Sequence, residues 1–248
     1  MRAMGRWLAL VLAAALALQL FFVGRIALMA VLDPQSTAFE RSEAWRLLSS
    51  PDKQLRWRQD WRDYSQISDN LKRAVIASED DSFSQHDGVD WEALEKAWQK
   101  NEKAQERAAR QAAPSKAKAG TPPRPPKVIG GSTITQQLAK NLLLSGERTL
   151  LRKGQEFVLA MLLEQLLSKQ RILEIYLNHV EWGEGVFGAE AAAQHYFRKP
   201  ATRLSAYEAA RLAVMLPRPK YFEKLPNSGY LGSRAHTIVA RMANAELP

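Results

Sequence analysis

An uninterrupted apolar run near the start of the chain constrains its fold more than any other feature. Trp7 to Gly24 comprises 18 residues with a single polar side chain, Gln19, and no charge. As a helix rising 1.5 Å per residue, this run would span roughly 27 Å, close to the hydrocarbon core of a bilayer. We therefore predict a membrane-spanning helix over residues 7–32, in which Arg25 reaches the far interface and the helix continues to Leu32.

The flanking charges predict how this helix is oriented. Arg2 and Arg6 precede the apolar run, and positive charge favours the cytoplasmic side of a membrane. Residues 1–6 would then be a cytoplasmic tail, and everything after Asp33 would lie outside the cytoplasm. A cleaved signal peptide is the alternative, because the run contains small alanines at 13–17, but the apolar stretch is long and continues beyond them.

The composition limits the classes of function. The formal net charge is +9, but residues 99–127 hold eight basic and two acidic residues, so the remainder is only mildly basic. A nucleic-acid binder would carry its charge on a structured face, and attraction to anionic lipid or polymer fits this distribution equally well. We predict no nucleic-acid partner. The sequence contains no cysteine, which excludes disulfides and thiol catalysis.

Two segments stand apart from the rest of the chain that follows the predicted membrane helix. Residues 33–69 are polar and rich in tryptophan and arginine, which suits the headgroup layer beside a membrane helix; short helices packed on the domain are the alternative. Residues 112–127 contain five prolines and alternating alanine and lysine, which predicts a disordered insert.

The remaining residues, 70–248, predict a mainly α domain, because hardly any segment alternates with period two. Helices are expected over 71–78, 91–111, 150–178 (with a second helix starting at 169), 189–197, 205–216 and 233–245. The three glycines within 182–188 predict a loop there.

A polar helix after two glycines is the first candidate site. Ser132 or Thr133 can cap it, and Gln136 follows Thr133 at the capping-box spacing. One side would carry an apolar stripe, and hydrogen-bond donors lie on or near the other. Such donors suit an anionic, hydroxyl-rich ligand such as a sugar diphosphate, although an ordinary amphipathic surface helix is the alternative. The stripe is Ile134, Leu138 and Leu142; the polar residues are Thr133, Gln136, Gln137, Lys140 and Asn141, followed by Arg148, Arg152 and Lys153.

Two carboxylates are the second candidate site. Glu79 follows an apolar helical stretch and opens an acidic turn with Asp80 and Asp81, so it should lie at the edge of the core. Burial and neighbouring like charge raise the pKa of a carboxyl group, which makes it a better base near neutrality; a solvated acidic turn is the alternative. Glu156 should lie at the head of a helix, where the N-terminus favours an anion.

Five sequence blocks, in this order, resemble the signature of the peptidoglycan glycosyltransferases of family 51. The chain is similar to the monofunctional biosynthetic peptidoglycan transglycosylases of that family over about residues 70–242, with a gap at the proline-rich insert. Asp81 and Ser82 depart from the family pattern and could alter the electrostatic setting of Glu79. The blocks are Glu79-Asp80-x-x-Phe83-x-x-His86-x-Gly88, GGSTITQQLAKN, Arg152-Lys153-x-x-Glu156, KxRILEIYLN and GVFGAEAAAQHYF.

The resemblance implies a lysozyme-like glycosyltransferase domain with two lobes and a cleft that opens towards the membrane. It implies polymerisation of lipid II into β-1,4-linked glycan strands, with inversion and release of undecaprenyl diphosphate. The protein would be a single-pass protein of the inner membrane with a periplasmic catalytic domain. Its implied partners are lipid II, the growing glycan, the membrane and proteins of cell division or elongation. Mg²⁺ or Mn²⁺ is implied as an aid, no organic cofactor is expected, and the sequence shows no metal site of its own.

The resemblance also assigns roles to residues. Glu79 matches the base that deprotonates the attacking 4-hydroxyl, and Glu156 matches a second acid near the donor diphosphate. Lys140 and Arg148 match the cations that hold the diphosphate. The other matches are sugar and phosphate contacts at Gln136, Gln137 and Asn141, supporting positions at Phe83, Ser132 and Thr133, and a late donor-site arginine at Arg234.

Two other functions remain open at this point. A hydrolase of the same fold could cut glycan strands with one carboxylic acid, as muramidases do, but it would have no diphosphate for the cations to hold. A non-catalytic membrane-anchored protein of the cell-wall assembly machinery would need neither acid.

Overall fold

The computed structural model describes residues 2–50, 56–111, 131–144, 146–147 and 149–248. Its architecture is mainly α, as predicted. The helices are α1 (Arg2–Leu28), α2 (Ala38–Leu48), α3 (Asp69–Glu79), α4 (Trp91–Gln111), α5 (Ile134–Leu143), α6 (Leu150–Leu166), α7 (Lys169–His179), α8 (Ala189–Phe197), α9 (Ala206–Met215), α10 (Pro219–Phe222) and α11 (Gly229–Met242). Short 3-10 helices cover Tyr64–Gln66, Phe83–Gln85 and Ala201–Arg203.

The core is built from two helix groups. Helices α3, α9 and α11 pack against one another, and α5 packs against α6 and α7. The predicted stripe of α5 is buried in this core, since Ile134, Leu138 and Leu142 are at most 1% exposed. The mainly α domain expected from the sequence is thus confirmed. The predicted insert 112–127 lies outside the described residues.

Helix α1 is long and apolar enough to cross a membrane: an 18-residue window within Ala3–Leu28 has a mean hydropathy of 2.3. The prediction that the helix continues to Leu32 was wrong, because α1 ends at Leu28 and a turn follows. The physical reason is a competing partner for the backbone: Arg171 donates hydrogen bonds to Met29 O at 2.8 Å and to Leu32 O at 3.0 Å.

The prediction of a loop over 182–188 was also wrong in part. The strands β2 (Glu181–Gly183) and β3 (Val186–Phe187) pair antiparallel there, and β3 pairs in parallel with β1 (Arg58–Gln59). Gly185 turns the chain with φ +72°, and a Cβ at this position would lie 1.7 Å from Arg56 O. Strands of two or three residues are too short for period-two alternation to reveal them in a sequence.

The juxtamembrane segment packs on the domain, which was one of its two interpretations. Strand β1 completes the three-stranded sheet, and the rings of Trp57 and Phe187 lie 4.6 Å apart. On α2, Glu40 is 1% exposed and accepts a hydrogen bond from Gln59 Nε2 at 2.8 Å. Part of residues 33–69 therefore belongs structurally to the domain that follows.

Candidate active site

Helix α3 carries Glu79 to the edge of the core. Ser68 caps the helix by accepting a hydrogen bond from Asn70 N–H, and the buried Leu71 and Val75 anchor one face. Glu79 is the last residue of the helix and lines a cleft of about 270 Å³. This Glu79 cleft is lined by residues 77–82, Asp90, Ala93, Lys96, Ala97, Lys100, residues 131–133 and Arg241.

The surroundings of Glu79 favour its protonated form. Burial raises the pKa of the Glu79 carboxyl above its ordinary value of 4.5, and the charge of Asp80 raises it further. Hydrogen bonds from Gln137 and Ser78 to the carboxylate offset part of this rise in pKa. A carboxylate desolvated in this way is a stronger base than one in water.

Asp80 joins the acidic turn to the start of α5. One of its carboxylate oxygens, Oδ2, accepts a hydrogen bond from Ile134 N–H at 2.9 Å, and the other lies 2.9 Å from His86 Nε2. Gly88 N–H donates to His86 Nδ1 at 3.1 Å, so Nε2 carries the hydrogen and donates to Asp80. Asp80 is thus a structural anion that holds α5 beside Glu79.

The predicted capping box at the start of α5 is confirmed. Thr133 Oγ1 accepts from Gln136 N–H, while Gln136 Oε1 accepts from Thr133 N–H at 3.1 Å. Thr133 Oγ1 also donates to Gly88 O at 2.6 Å, and Gly88 itself has φ +85°. Both capping residues are buried. The side chain of Gln136 is therefore engaged in the cap, and the sugar contact predicted for it stays a prediction.

Gln137 lies between two polar groups that fix the orientation of its amide. Tyr176 donates its hydroxyl hydrogen to Gln137 Oε1 at 3.0 Å, so the amide nitrogen faces the other way and donates to Glu79 Oε2 at 3.1 Å. Burial, followed by the charges of Glu79 and Asp80, raises the pKa of Tyr176 well above its ordinary value. The tyrosine therefore stays a hydrogen-bond donor at neutral pH.

A second cleft, of about 470 Å³, adjoins the first and is dominated by positive charge. This Glu156 cleft brings three cations, Lys140, Arg152 and Lys153, around one carboxylate. Glu156 is buried and accepts from Arg152 Nη1 at 3.2 Å and from Lys153 Nζ at 2.5 Å. The lining residues are Ser132, Gln137, Lys140, Thr149, Leu150, Arg152, Lys153 and Glu156.

The sequence predicted Glu156 at the start of its helix, and this prediction was wrong. Helix α6 is capped by Thr149 and begins at Leu150, which leaves Glu156 in the second turn. Its charge is balanced by the two cations three and four residues before it, which lie on the same helical face.

Ser132 lines both clefts, and Gln137 lines the Glu156 cleft while it contacts Glu79. Lys153 Nζ lies 3.5 Å from Ser132 Oγ. The two clefts therefore form one groove with unlike ends. One end has a carboxyl group with a raised pKa, and the other has three cations.

The other predicted site residues occupy different positions. Phe83 is fully buried on its 3-10 helix, with Lys169 Nζ 4.5 Å from its ring centre. Asn141 is half-buried on α5, and Arg148 lies outside the described residues. Arg234 is exposed on α11 and is not among the residues that line either cleft. On the same helix, Arg241 reaches the Glu79 cleft and pairs with Asp81 at 3.0 Å.

The sequence-based site omitted several residues that the structure brings to the groove or its surroundings, among them Arg152, Lys153, Arg241 and Tyr176. Arg152 and Lys153 were noted as basic but were not predicted to bind; the signal that could have found them is their spacing of four and three residues from Glu156. Tyr176 reaches Glu79 only through Gln137, across 39 residues of sequence. No local sequence pattern predicts such a contact.

Comparison with known proteins identifies related chains. Several relatives carry the name biosynthetic peptidoglycan transglycosylase. The one from Burkholderia thailandensis is 52% identical over 252 residues, covering 100% of this chain and 90% of the relative. The one from Herminiimonas arsenicoxydans is 49% identical over 244 residues, covering 98% and 96%. The one from Bordetella pertussis is 48% identical over 239 residues, covering 96% and 91%.

A family model described as Transglycosylase matches residues 48–114 and 115–243, which is well over half of the chain. The matched region contains both acids, Glu79 and Glu156, and the cations of the Glu156 cleft. Together with the relatives that align over nearly its whole length, this match shows that the chain belongs to the transglycosylase family.

Proposed function

We propose that this protein is a peptidoglycan glycosyltransferase that polymerises lipid II into β-1,4-linked glycan strands. The observation that carries the proposal is the groove itself, which joins a carboxyl group of raised pKa to a cluster of three cations. The relatives that are 52% and 48% identical to this chain are named biosynthetic peptidoglycan transglycosylases, and this name describes the same chemistry. A transferase that joins two sugars with loss of a diphosphate needs both ends of such a groove.

Glu79 acts at the acceptor end. A sugar hydroxyl is a weak nucleophile, so a base must remove its proton as it attacks. In the proposed step, Glu79 takes the proton of the acceptor 4-hydroxyl, and that oxygen forms a bond to the anomeric carbon of the donor. Because attack comes from the face opposite the leaving group, an α-linked donor gives a β-linked product.

The cations act at the donor end. The bond between the anomeric carbon and the diphosphate oxygen breaks as the new bond forms, and undecaprenyl diphosphate leaves with the electron pair. Negative charge therefore grows on the bridging oxygen, where Lys140, Arg152 and Lys153 stabilise it. Glu156 holds Arg152 and Lys153 on one side of the cleft. Arg148 is proposed as a further cation.

Gln137 connects the two ends. Its amide nitrogen donates to Glu79, and this hydrogen bond favours the ionised carboxylate that must accept the proton. Ser132 lines both clefts and is proposed to contact the sugar that bridges them. Contacts to sugar or phosphate from Gln136, Asn141 and Arg234 stay proposals, as do supporting roles for Phe83 and Thr133.

A divalent cation would have to take most of its ligands from the substrate. Among the described residues, no group of three or more His, Asp or Glu side chains could hold a metal ion. The one carboxylate of the Glu156 cleft is already shared by two protein cations. These residues do not fit a metal site built by the protein, so the steps above use the side chains alone. Mg²⁺ or Mn²⁺ bound to the diphosphate stays a separate proposal.

Helix α1 fits a membrane anchor. We propose that it is a single pass through the inner membrane, with residues 1–6 cytoplasmic and the catalytic domain in the periplasm. The substrate is a polyprenyl-linked sugar that is held at the same membrane, so an anchored enzyme meets it there. Proteins of cell division or elongation are proposed as partners.

The test is polymerisation of labelled lipid II by the full-length protein reconstituted into membranes. The wild type should produce glycan polymer, and Glu79→Gln should lower the rate by roughly 10²- to 10⁴-fold, the usual contribution of a general base. Glu156→Gln should also lower it. Full activity of Glu79→Gln would overturn the assignment of the base.

The same preparation tests the hydrolase alternative. Incubation with purified cell-wall sacculi should release no muropeptides, because the cations of the Glu156 cleft have no diphosphate to bind in a finished glycan. Release of muropeptides that depends on Glu79, without polymer from lipid II, would favour the hydrolase.

A further inference from the structure

The one polar side chain of the apolar run has a partner on the catalytic domain. Gln19 Nε2 donates to Gln155 Oε1 at 3.1 Å, and Gln155 Nε2 donates back to Gln19 Oε1 at 3.1 Å. The two amides thus satisfy each other in a reciprocal pair. Gln155 precedes Glu156 in α6, so the pair joins the membrane helix to the helix that carries the second acid.

Gln19 begins the face by which α1 contacts the domain. Phe22, Ile26 and Met29 are buried in the core, and the positions 19, 22, 26 and 29 are spaced by three, four and three residues. Such spacing puts Gln19, Phe22 and Ile26 on one side of α1, as in helix–helix seams, and Met29 continues this seam just past the end of the helix. Residues 3–18 are exposed all round, so the amide pair lies where the domain first meets the membrane helix.

A second polar contact fixes the other end of this seam. Arg171 of α7 donates to the carbonyl oxygens of Met29 and Leu32 just past the end of α1, and pairs with Asp33 at 2.7 Å. A cation is favoured at the C-terminus of a helix, where carbonyl groups lack partners. With polar contacts at both ends, α1 is held against sliding and rotation relative to α6 and α7.

The amide pair also has a defined height in the membrane. Because residues 1–6 are proposed to be cytoplasmic, residues 7–18 of α1 would span roughly 18 Å of a hydrocarbon core of about 30 Å. Gln19 therefore lies within the outer half of the apolar layer, where an unpartnered amide is costly. Leu150 and Leu151, at the start of α6, are 92% and 86% exposed, as expected for side chains that meet lipid.

We propose that the Gln19–Gln155 pair is a positioning device that sets the height and rotation of α6, and hence of Glu156 and its cations, relative to the membrane. This inference rests on the proposed function, because it matters only for a substrate whose diphosphate lies at the bilayer surface. In this role α1 is part of the catalytic architecture as well as an anchor.

The contact itself is tested by cross-linking, independently of activity. The sequence has no cysteine, so Gln19→Cys with Gln155→Cys gives a unique thiol pair in the full-length protein in liposomes. Oxidation should link this pair at least fivefold faster than Leu18→Cys with Gln155→Cys, because residue 18 is turned about 100° away round the helix. Equal rates for the two pairs would overturn the proposal.

The functional role is tested with two substrates. Gln19→Leu should lower polymerisation of long-chain lipid II in liposomes at least fivefold, but it should leave the rate with a short-chain, water-soluble lipid II analogue in detergent unchanged. A merely structural role would lower both rates equally, and no loss on either substrate would also contradict the proposal. If the wild type polymerised neither substrate, the proposed function would fail while the cross-linking result would stand.

Matched variants sharpen this test. Leu18→Gln combined with Gln19→Leu keeps the composition and hydropathy of α1 but turns the amide away from α6. Its polymerisation rate in liposomes should equal that of Gln19→Leu alone. Leu18→Ala should behave as the wild type. The double variant Gln19→Leu with Gln155→Leu should polymerise lipid II in liposomes at least as fast as either single variant. Each single change leaves one amide without its hydrogen-bond partner, whereas the double change removes both amides. Additive losses in the double variant would count against the pair.

Discussion

The amide nitrogen of Gln137 donates a hydrogen bond to Glu79 Oε2 at 3.1 Å, and nothing in the local sequence links these two residues. They are 58 positions apart, on the end of α3 and the first turns of α5. Because the hydrogen bond stabilises the ionised carboxylate, it lowers the pKa of Glu79 against the larger, opposite effect of burial. The balance between these two effects sets the pH at which the proposed base becomes active.

The first prediction concerns that balance. Gln137→Ala should shift the acidic limb of kcat/KM for lipid II polymerisation to higher pH, because the pKa of Glu79 rises when the bond is lost. The pH profile of wild type and variant measures the shift. Ser78→Ala removes a longer bond, 3.4 Å, to the same carboxylate and should shift the limb less. An unchanged limb in Gln137→Ala would show that another group controls it.

The second prediction concerns Lys140, which lines the Glu156 cleft and is exposed on α5. Lys140→Met should lower kcat/KM by about 10²-fold, the loss typical for removing one group that stabilises transition-state charge. Folding should be unaffected, which thermal unfolding of the same sample checks. Lys100→Met is the matched control: Lys100 lines the Glu79 cleft and not the Glu156 cleft, so this variant should lose much less activity.

The third prediction concerns Asp80, which is buried and serves two donors. In Asp80→Asn, the amide NH₂ replaces one of the two carboxylate oxygens that accept from His86 Nε2 and Ile134 N–H. One of these buried donors therefore loses its acceptor. The expected loss of unfolding free energy is about 1–3 kcal/mol, measured by thermal or chemical denaturation in detergent. The neighbouring Asp81 is 59% exposed and pairs with Arg241 at the surface. Asp81→Asn should therefore change stability little, and an equal loss in both variants would contradict the argument.

The fourth prediction concerns pH and stability at Glu181 in β2. Burial raises the pKa of Glu181 from 4.5 to about 7, despite Lys220 Nζ at 3.2 Å. The folded protein therefore holds this proton more tightly than the unfolded chain does. Stability should fall as the pH rises from about 4.5 to about 7, with a total cost of up to about 3 kcal/mol from this group. Glu181→Gln should remove this fall, as measured by unfolding at pH 5 and pH 8.

Glu43 provides the control for that experiment, because it shares Lys220 with Glu181. Burial alone would raise the pKa of Glu43, but hydrogen bonds from Arg46 and Lys220 lower it overall. Its contribution to stability is thus present above its unfolded pKa and is lost as the pH falls through the folded one. Glu43→Gln should lower stability at neutral pH, the opposite sign to Glu181→Gln. The same sign in both variants would refute the explanation.

The helices and the α5 cap were predictable because their signals are local. The capping box of Thr133 and Gln136 lies within four residues, and α4 and α8 have the bounds that their patterns gave. The small sheet was missed because β1 and β3 are two residues each and pair across more than 120 positions. Sequence patterns report a residue's neighbours in the chain, and the pairing of β1 with β3 depends on neighbours in space.

The site shows the same division. Glu79 was singled out because an apolar helix leads directly into it, and the structure puts it at the edge of the core. The contact of Gln137 with sugar or phosphate stays a prediction, whereas its hydrogen bonds with Tyr176 and Glu79 could not be predicted because only the folded chain creates them. Arg241, which was not predicted as a site residue, lines the Glu79 cleft because the last turns of α11 approach Asp81.

The burial of Phe22, Ile26 and Met29 in the core of the domain has a practical consequence. A shortened protein that begins after α1 would uncover the apolar surface that these side chains now cover, and it would tend to aggregate. To remain monomeric in solution, such a shortened protein would therefore require either a separate peptide with the sequence of residues 19–32 or polar substitutions on the uncovered apolar surface.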